Sequence, residues 1–266
     1  MTASPSPSPS ASHTAHAHSF NAAAAQYAAN RPSYPPALLD TIEQAADRPL
    51  KDARVADVGA GTGIATALLQ ARGAKVIAIE PGEGMAAQFR RFLPDTPVVR
   101  GDGDSLPLAT GSVDFLTYAQ SWHWTAPARS FPEAMRVLRP TGALALWWNN
   151  SAADVPWQAE QIRRVERFIG GDVAEKRRSG LRARTEDVFA GAPYLPPCTR
   201  HEIRWSRTVP LDTHLANIGS QSVFLVLGEE ATAAFFAEER AHLLKAFPNG
   251  LVEENYELVV LITIRP

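Results

Sequence analysis

Apolar positions fall into short dense runs separated by stretches with a helical period. Val55–Val58, Lys75–Glu80, Val98–Asp102, Val113–Ala119 and Ala143–Trp148 are runs of the length of buried strands, the second and third each ending in an acid. Between them, Ile64–Arg72, Glu83–Phe92 and Ala126–Leu138 repeat apolar residues every three or four positions, as a helix with one buried face does. Strands alternating with helices of about ten residues predict a parallel sheet covered on both faces, an α/β doubly wound architecture.

The flanks follow other patterns. Phe20, Ala24 and Tyr27 share one face of a predicted helix that Pro32 stops. After the rigid Arg31-Pro32-Ser33-Tyr34-Pro35-Pro36 bend, a second helix is expected over Ala37–Ala46. Together these form N-terminal lid helices. Beyond Asn150 the βα rhythm ends. Trp157–Phe168, Ala174–Arg184 and Ala231–Phe247 are expected helices, Leu211–Leu227 a mixed helical stretch, and His201–Thr208 and Asn255–Arg265 strands. The Ser/Pro/Ala-rich residues 1–19 hold too little apolar mass to fold and are expected to be a disordered tail without the basic start and apolar segment of a secretory signal. The organisation expected is a tail (1–19), lid helices (20–49), a nucleotide-type core (50–150), and substrate-side helices with the final strands (151–266).

Chemistry enters at Asp57-Val58-Gly59-Ala60-Gly61-Thr62-Gly63, a glycine turn between the first strand and the first core helix. Such a turn lets a ligand lie against bare backbone. A dinucleotide fingerprint requires a third glycine where Ile64 stands, and a P-loop requires Lys-Ser/Thr where Ile64-Ala65 stands, so both are disfavoured. Glu80 closes the second strand at the sheet's carboxyl edge, where a carboxylate can accept both hydroxyls of a ribose. Asp102 ends the third strand, placed to accept the exocyclic amine of an adenine. By the switch-point rule, the strand ends carrying Gly59, Glu80, Asp102 and Gln120 converge on one ligand.

Composition narrows the partner. The 266 residues carry a formal net charge of -2, which offers no field for nucleic acid or an anionic membrane, so a small molecule is expected. No apolar run reaches the ~20 residues of a membrane helix. The single cysteine, Cys198, excludes an internal disulfide and fits a reducing, cytoplasmic setting. His13, His16 and His18 lack a fixed geometry for a metal, and none is expected.

Taken together, Asp57-x-Gly59-x-Gly61-x-Gly63, Glu80, Gly101-Asp102-Gly103-Asp104-Ser105-Leu106-Pro107-Leu108 and Arg136-Val137-Leu138-Arg139-Pro140-Thr141-Gly142 resemble the motifs of class I S-adenosylmethionine-dependent methyltransferases of the small-molecule group. Thr141 departs from a usual glycine. The resemblance is strong over residues 50–150 and fades past Asn150. It implies a Rossmann-like, seven-stranded, mostly parallel sheet in which the last strand inserts antiparallel, with a C-terminal helical insertion. It further implies S-adenosyl-L-methionine as cofactor. Asp57 is expected among its direct contacts; the loop glycines would meet its methionine part, Tyr27 and Arg31 its carboxylate, Glu80 the ribose, Asp102 with Gly103 the adenine, and Gln120 and Ser121 the sulfonium.

Substrate contacts are expected from Tyr34, Trp122, Trp124, Trp148 and Asn149, aromatic faces being attractive to a cation. His123 is the candidate base, with substrate orientation or a structural hydrogen bond as the competing roles. The Lys176, Arg177, Arg178, Arg182, Arg184 cluster would favour an anionic substrate if it bends over the site, and is otherwise a solvated helix face. Three readings stay open: methyl transfer to a small metabolite, acidic ones included; intramolecular cyclisation of the cofactor with release of methylthioadenosine; and a non-catalytic cofactor-binding regulator. A monomer or homodimer is expected.

Overall fold

A computed structural model describes residues 30–171, 188–190, 192 and 197–266. The expected tail, the helix carrying Tyr27 and the Lys176–Arg184 cluster lie outside them.

In chain order the elements are α1 (Ala37–Ala46), β1 (Arg54–Val58), α2 (Ile64–Ala71), β2 (Lys75–Ile79), α3 (Glu83–Phe92), β3 (Val98–Val99) and β4 (Val113–Ala119). After a 3-10 turn at Trp122–Trp124 follow α4 (Pro127–Val137), β5 (Leu138–Ser151), α5 (Pro156–Ile169), β6 (Cys198–Pro210), α6 (Leu211–Gly219), α7 (Ser222–Leu227), α8 (Glu229–Ala246) and β7 (Leu251–Ile264). They build one seven-stranded sheet in the order β3-β2-β1-β4-β5-β7-β6. The first five strands pair in parallel, and β7 lies antiparallel between β5 and β6. The doubly wound, mostly parallel sheet and its inserted antiparallel strand are therefore as expected.

Burial explains the strand choice. Val55, Ala56, Leu116, Tyr118 and Leu144–Trp148 are sealed on both faces, which continuous apolar runs permit and alternating ones do not. One face packs on Phe131, Ala134 and Val137 of α4, the other on Leu38 and Ile42 of α1 with Ala65 and Leu69 of α2. The α1 helix is thus part of the sheet's helical layer rather than a lid. Arg72, ion-paired to Asp40 and Glu43, fastens it to α2.

Several boundaries differ from the pattern. The third strand is only Val98–Val99, because Asp102 caps its own turn and takes the chain out of the ladder. β5, β6 and β7 run longer than their apolar cores, since antiparallel pairing with β7 carries the ladder into polar sequence from Ser151↔Tyr256 onward. Leu211–Leu227 divides into α6 and α7 at Ser220-Gln221, where Ser220 Oγ donates to the Asn217 carbonyl at 2.7 Å. Among the described residues no helix is long and apolar enough to cross a membrane, and no group of three or more His, Cys, Asp or Glu could hold a metal ion.

Candidate cofactor and substrate site

The glycine turn leaves β1 at the switch point, between β2 and β4. Gly59, Gly61 and Gly63 have φ of +67°, +58° and +96°, a region that side chains resist. Each glycine has a different neighbour. A Cβ on Gly59 would lie 2.5 Å from Ser121 Cβ, and one on Gly63 would lie 2.9 Å from Leu93 Cδ1 and 3.1 Å from Phe89. A Cβ on Gly61 would meet nothing within 4 Å. Gly59 and Gly63 are therefore packing positions, and Gly61 alone of the three faces open space. Gly103 also packs, since its Cβ would come within 2.7 Å of Thr125 Cγ2.

Two carboxylates support the turn, and neither acts as simple spacing suggests. Asp57 is wholly buried, with Oδ2 accepting from Thr66 Oγ1 at 2.6 Å and Oδ1 from Thr117 Oγ1 at 3.0 Å. Burial raises its pKa to about 6, against the two hydroxyls that pull it down. It ties β1 to α2 and β4 from beneath the loop and presents no atom to a ligand, which corrects its expected place among the direct contacts. Thr66 and Thr117 were not anticipated. The only sequence signal for them is a hydroxyl on an otherwise apolar buried face.

Glu80 does reach the turn. Its Oε2 accepts the Gly61 N–H at 2.8 Å and its Oε1 the Gly82 N–H at 2.7 Å. Burial raises the pKa of this carboxyl, and the two N–H groups oppose the rise. Each oxygen keeps lone-pair capacity for a further donor. Asp102 Oδ1 is taken by the N–H groups of Asp104 and Ser105 at 2.9 and 3.0 Å, a local turn that holds the exposed carboxylate in place. Asp104 then fastens the next segment by accepting from Ala126 N and Arg129 Nη2 at 2.8 and 2.6 Å.

At the end of β4, Gln120 adopts φ +59° and donates its backbone N–H to the Trp147 carbonyl at 2.9 Å. Ser121 turns inward, its Oγ donating to the Val58 carbonyl at 2.5 Å. It locks β4 to β1. The expected aromatic wall separates in the same way. Trp122 is 2% exposed, packs on Tyr118 and Phe189, and donates to the Val188 carbonyl at 2.8 Å. Trp148 is fully buried. Both are core, where apolar burial of a large ring stabilises most. Trp124, 38% exposed, stands at the surface with its ring 4.6 Å from that of His123.

The Trp148 indole N–H points to His123 Nδ1 at 3.4 Å. A neutral imidazole that accepts at Nδ1 carries its proton on Nε2.

Asn149 ends the buried part of β5. Its Oδ1 accepts from Trp205 Nε1 at 2.9 Å, which fixes the amide orientation, and its Nδ2 is buried with no acceptor among the described residues. Tyr34 packs edge-on against Trp147 with centroids 5.8 Å apart, and Arg31 Nη2 donates to the Ser220 carbonyl at 3.3 Å. The bend after Asn30 is thereby seated at the same sheet edge. Trp205 was missed in the sequence because it lies in a strand of alternating charge, where an aromatic ring carries no signal of its own.

Comparison with known proteins agrees with this arrangement. The family described as "Methyltransferase domain" matches residues 56–146, the segment from β1 into β5. An uncharacterized methyltransferase of Mycobacterium bovis is 36% identical over 204 residues, covering 77% of this chain and 76% of its own length. An uncharacterized methyltransferase-like protein of Schizosaccharomyces pombe is 34% identical over 155 residues, 57% of this chain and 58% of its own. Among solved structures, one assigned to a type II methyltransferase from Anaeromyxobacter dehalogenans superposes with a TM-score of 0.58 at 25% identity, covering 88% of this chain and 96% of that one. The strand order, the glycine turn over a buried acid and these relatives together make the chain a member of the class I S-adenosylmethionine-dependent methyltransferases.

Proposed function

We propose that the cradle formed by Gly61, Glu80 and Asp102 holds S-adenosylmethionine, and that its methyl group passes to a small metabolite bearing a hydrogen-bond acceptor, such as a carboxylate. The observation that carries this reading is the open space at Gly61 beside a buried carboxylate that already grips the Gly61 N–H. Bare backbone and spare acceptor capacity in one place suit a ribose and an amino-acid tail.

The sulfonium supplies an activated methyl carbon, and transfer is an in-line displacement that needs alignment and exclusion of water more than proton transfer. On this reading Gln120, whose backbone is pinned to β5, borders the reacting edge, and Arg31 and Tyr34 close it from the N-terminal side. The Nδ2 of Asn149, buried and without an acceptor among the described residues, supports an acceptor atom from the substrate, since an unsatisfied buried donor costs about 1–3 kcal/mol that a ligand oxygen would recover. His123 orients substrate through a donor Nε2, and Trp124 flanks it.

Calorimetric titration with S-adenosylhomocysteine tests the assignment. Wild-type protein is expected to bind it, and Glu80→Ala to bind at least tenfold more weakly, in line with loss of a charge-assisted hydrogen bond worth ~1.5–3 kcal/mol. Equal affinity in the two proteins would remove Glu80 from the cofactor site.

A further inference from the structure

Glu254 of β7 is a carboxylate that the proposed chemistry does not use, yet it is 1% exposed and fully engaged. Its Oε2 accepts from Arg207 Nε at 2.5 Å and from the Tyr256 hydroxyl at 2.8 Å. Its Oε1 faces His214 Nδ1 at 2.7 Å and accepts from Asn217 Nδ2 at 3.3 Å. A charge this deep is costly to bury, and so many partners are more than tethering β6 to β7 requires, because the backbone ladder already pairs Arg207 with Glu254.

Two of those partners lead to the same place. Arg207 spends its Nε on Glu254 and its Nη2 on the carbonyl of Asn30, at 3.1 Å. Asn217 stands near the end of α6, where its carbonyl accepts from Ser220 Oγ, and the Ser220 carbonyl in turn accepts from Arg31 Nη2 at 3.3 Å. Consecutive residues just ahead of Pro32 are thus both held by groups wired to one carboxylate. Three residues further on, Tyr34 rests on Trp147, whose carbonyl receives the Gln120 N–H at the end of β4. The segment Asn30–Tyr34 therefore spans from the Glu254 hub to the carboxyl edge of the sheet.

We infer that Arg207 and Glu254 are positioning residues that hold the segment Asn30–Tyr34 against the cofactor cradle, so that cofactor affinity depends on an ion pair in the C-terminal half of the chain. The inference rests on the cradle being the S-adenosylmethionine site. Its distinctive element is Arg207, a forked side chain that satisfies an acid and a backbone carbonyl at once. A lysine has the charge but a single nitrogen, which cannot replace that fork.

The experiment compares wild type, Arg207→Lys and Glu254→Gln in two measurements: S-adenosylhomocysteine affinity by calorimetry, and amide hydrogen exchange of the ligand-free proteins over residues 31–39. Arg207→Lys is expected to weaken binding about tenfold and to accelerate exchange at Arg31, Ser33 and Tyr34, with exchange in β1 and α2 unchanged. Glu254→Gln, which keeps the side-chain volume, should do the same and provides the test should Arg207→Lys fail to fold. A lower melting temperature with affinity and segment exchange both as in wild type would overturn the inference and leave the hub a fold-stabilising cluster. Faster exchange in a wild-type protein background that does not bind S-adenosylhomocysteine at all would instead overturn the cradle assignment, and the inference with it.

Discussion

Gly59 and Gly61 stand two residues apart with nearly the same backbone, and their surroundings make opposite demands. Replacing Gly59 by alanine adds a left-handed strain of roughly 1–2 kcal/mol and drives a methyl into Ser121, so the variant should lose stability as an over-packed core does, by roughly 1–3 kcal/mol more. Gly61→Ala meets only the strain, because its methyl enters open space. The expected outcome is a melting temperature that falls clearly for Gly59→Ala and slightly for Gly61→Ala, while Gly61→Ala still loses at least tenfold in S-adenosylhomocysteine affinity. Wild-type affinity in Gly61→Ala would mean that the ligand does not lie over that residue. The contrast also marks how far single residues were legible. The three glycines and the two acids were readable as a unit from their spacing, but their division into packing and ligand-facing members depends on what approaches each from β4 and α3, and those contacts are distant in sequence.

Among elements, β7 shows most clearly how sequence pattern and pairing part company. Its apolar second half was recognisable as a strand, whereas the first half, Leu251–Glu254, mixes charge with apolar residues and takes strand form because β6 runs beside it. The same holds for α1, which was expected as a cover from its position before β1 and proves to be core, its apolar face matching a sheet face that only the assembled topology exposes. Trp122 and Trp148 were misplaced for a related reason: an aromatic residue at a strand end looks alike whether it turns into the sheet or out of it. The part of β7 that the pattern missed also holds a titratable group. Burial pushes Glu254 up, but the hydrogen bonds and charges of His214 and Arg207 outweigh it and hold the carboxyl at about 2. A carboxyl depressed from its ordinary 4.5 contributes stability that is complete above that pH and is lost as pH falls toward 2, on the order of 3 kcal/mol. Asp57, raised to about 6, runs the other way: the folded state takes up its proton first, so its share of stability grows as pH drops from 6 toward 3.8. The two oppose each other, so the test is a difference: going from pH 5 to pH 3, the urea midpoint of wild type should drop relative to that of Glu254→Gln. Identical slopes would mean that the carboxylate is not ionised within its hub.

At the scale of the whole molecule, the sheet divides the work. Its β3-β2-β1-β4 side carries the cradle, where pattern and motif were both informative because parallel strands buried on two faces write themselves as apolar runs. Its β5-β7-β6 side carries Asn149, Trp205, Arg207 and Glu254, where alternating strands and buried polar groups hide the layout. The two sides are joined through β7, which pairs with β5 along one edge and with β6 along the other. A chain cut after Phe247 is expected to lose cooperative thermal unfolding altogether, as followed by circular dichroism, since β6 and the α6–α8 helices would have no ladder to the remaining core. A cooperative melt in that truncated chain would mean that the β3-to-β5 half folds by itself.

This topology also bears on synthesis. Between the end of β6 at Pro210 and the start of β7 at Leu251 lie some forty residues, mostly helix, so at ~5–20 residues per second the earlier strand waits several seconds with both edges bare. Arg200, Glu202, Arg204 and Arg207, spaced along it, give a nascent ribbon of that kind the charges that deter it from joining another copy. The Arg207 side chain that later pins the N-terminal bend would first serve as a guard against aggregation.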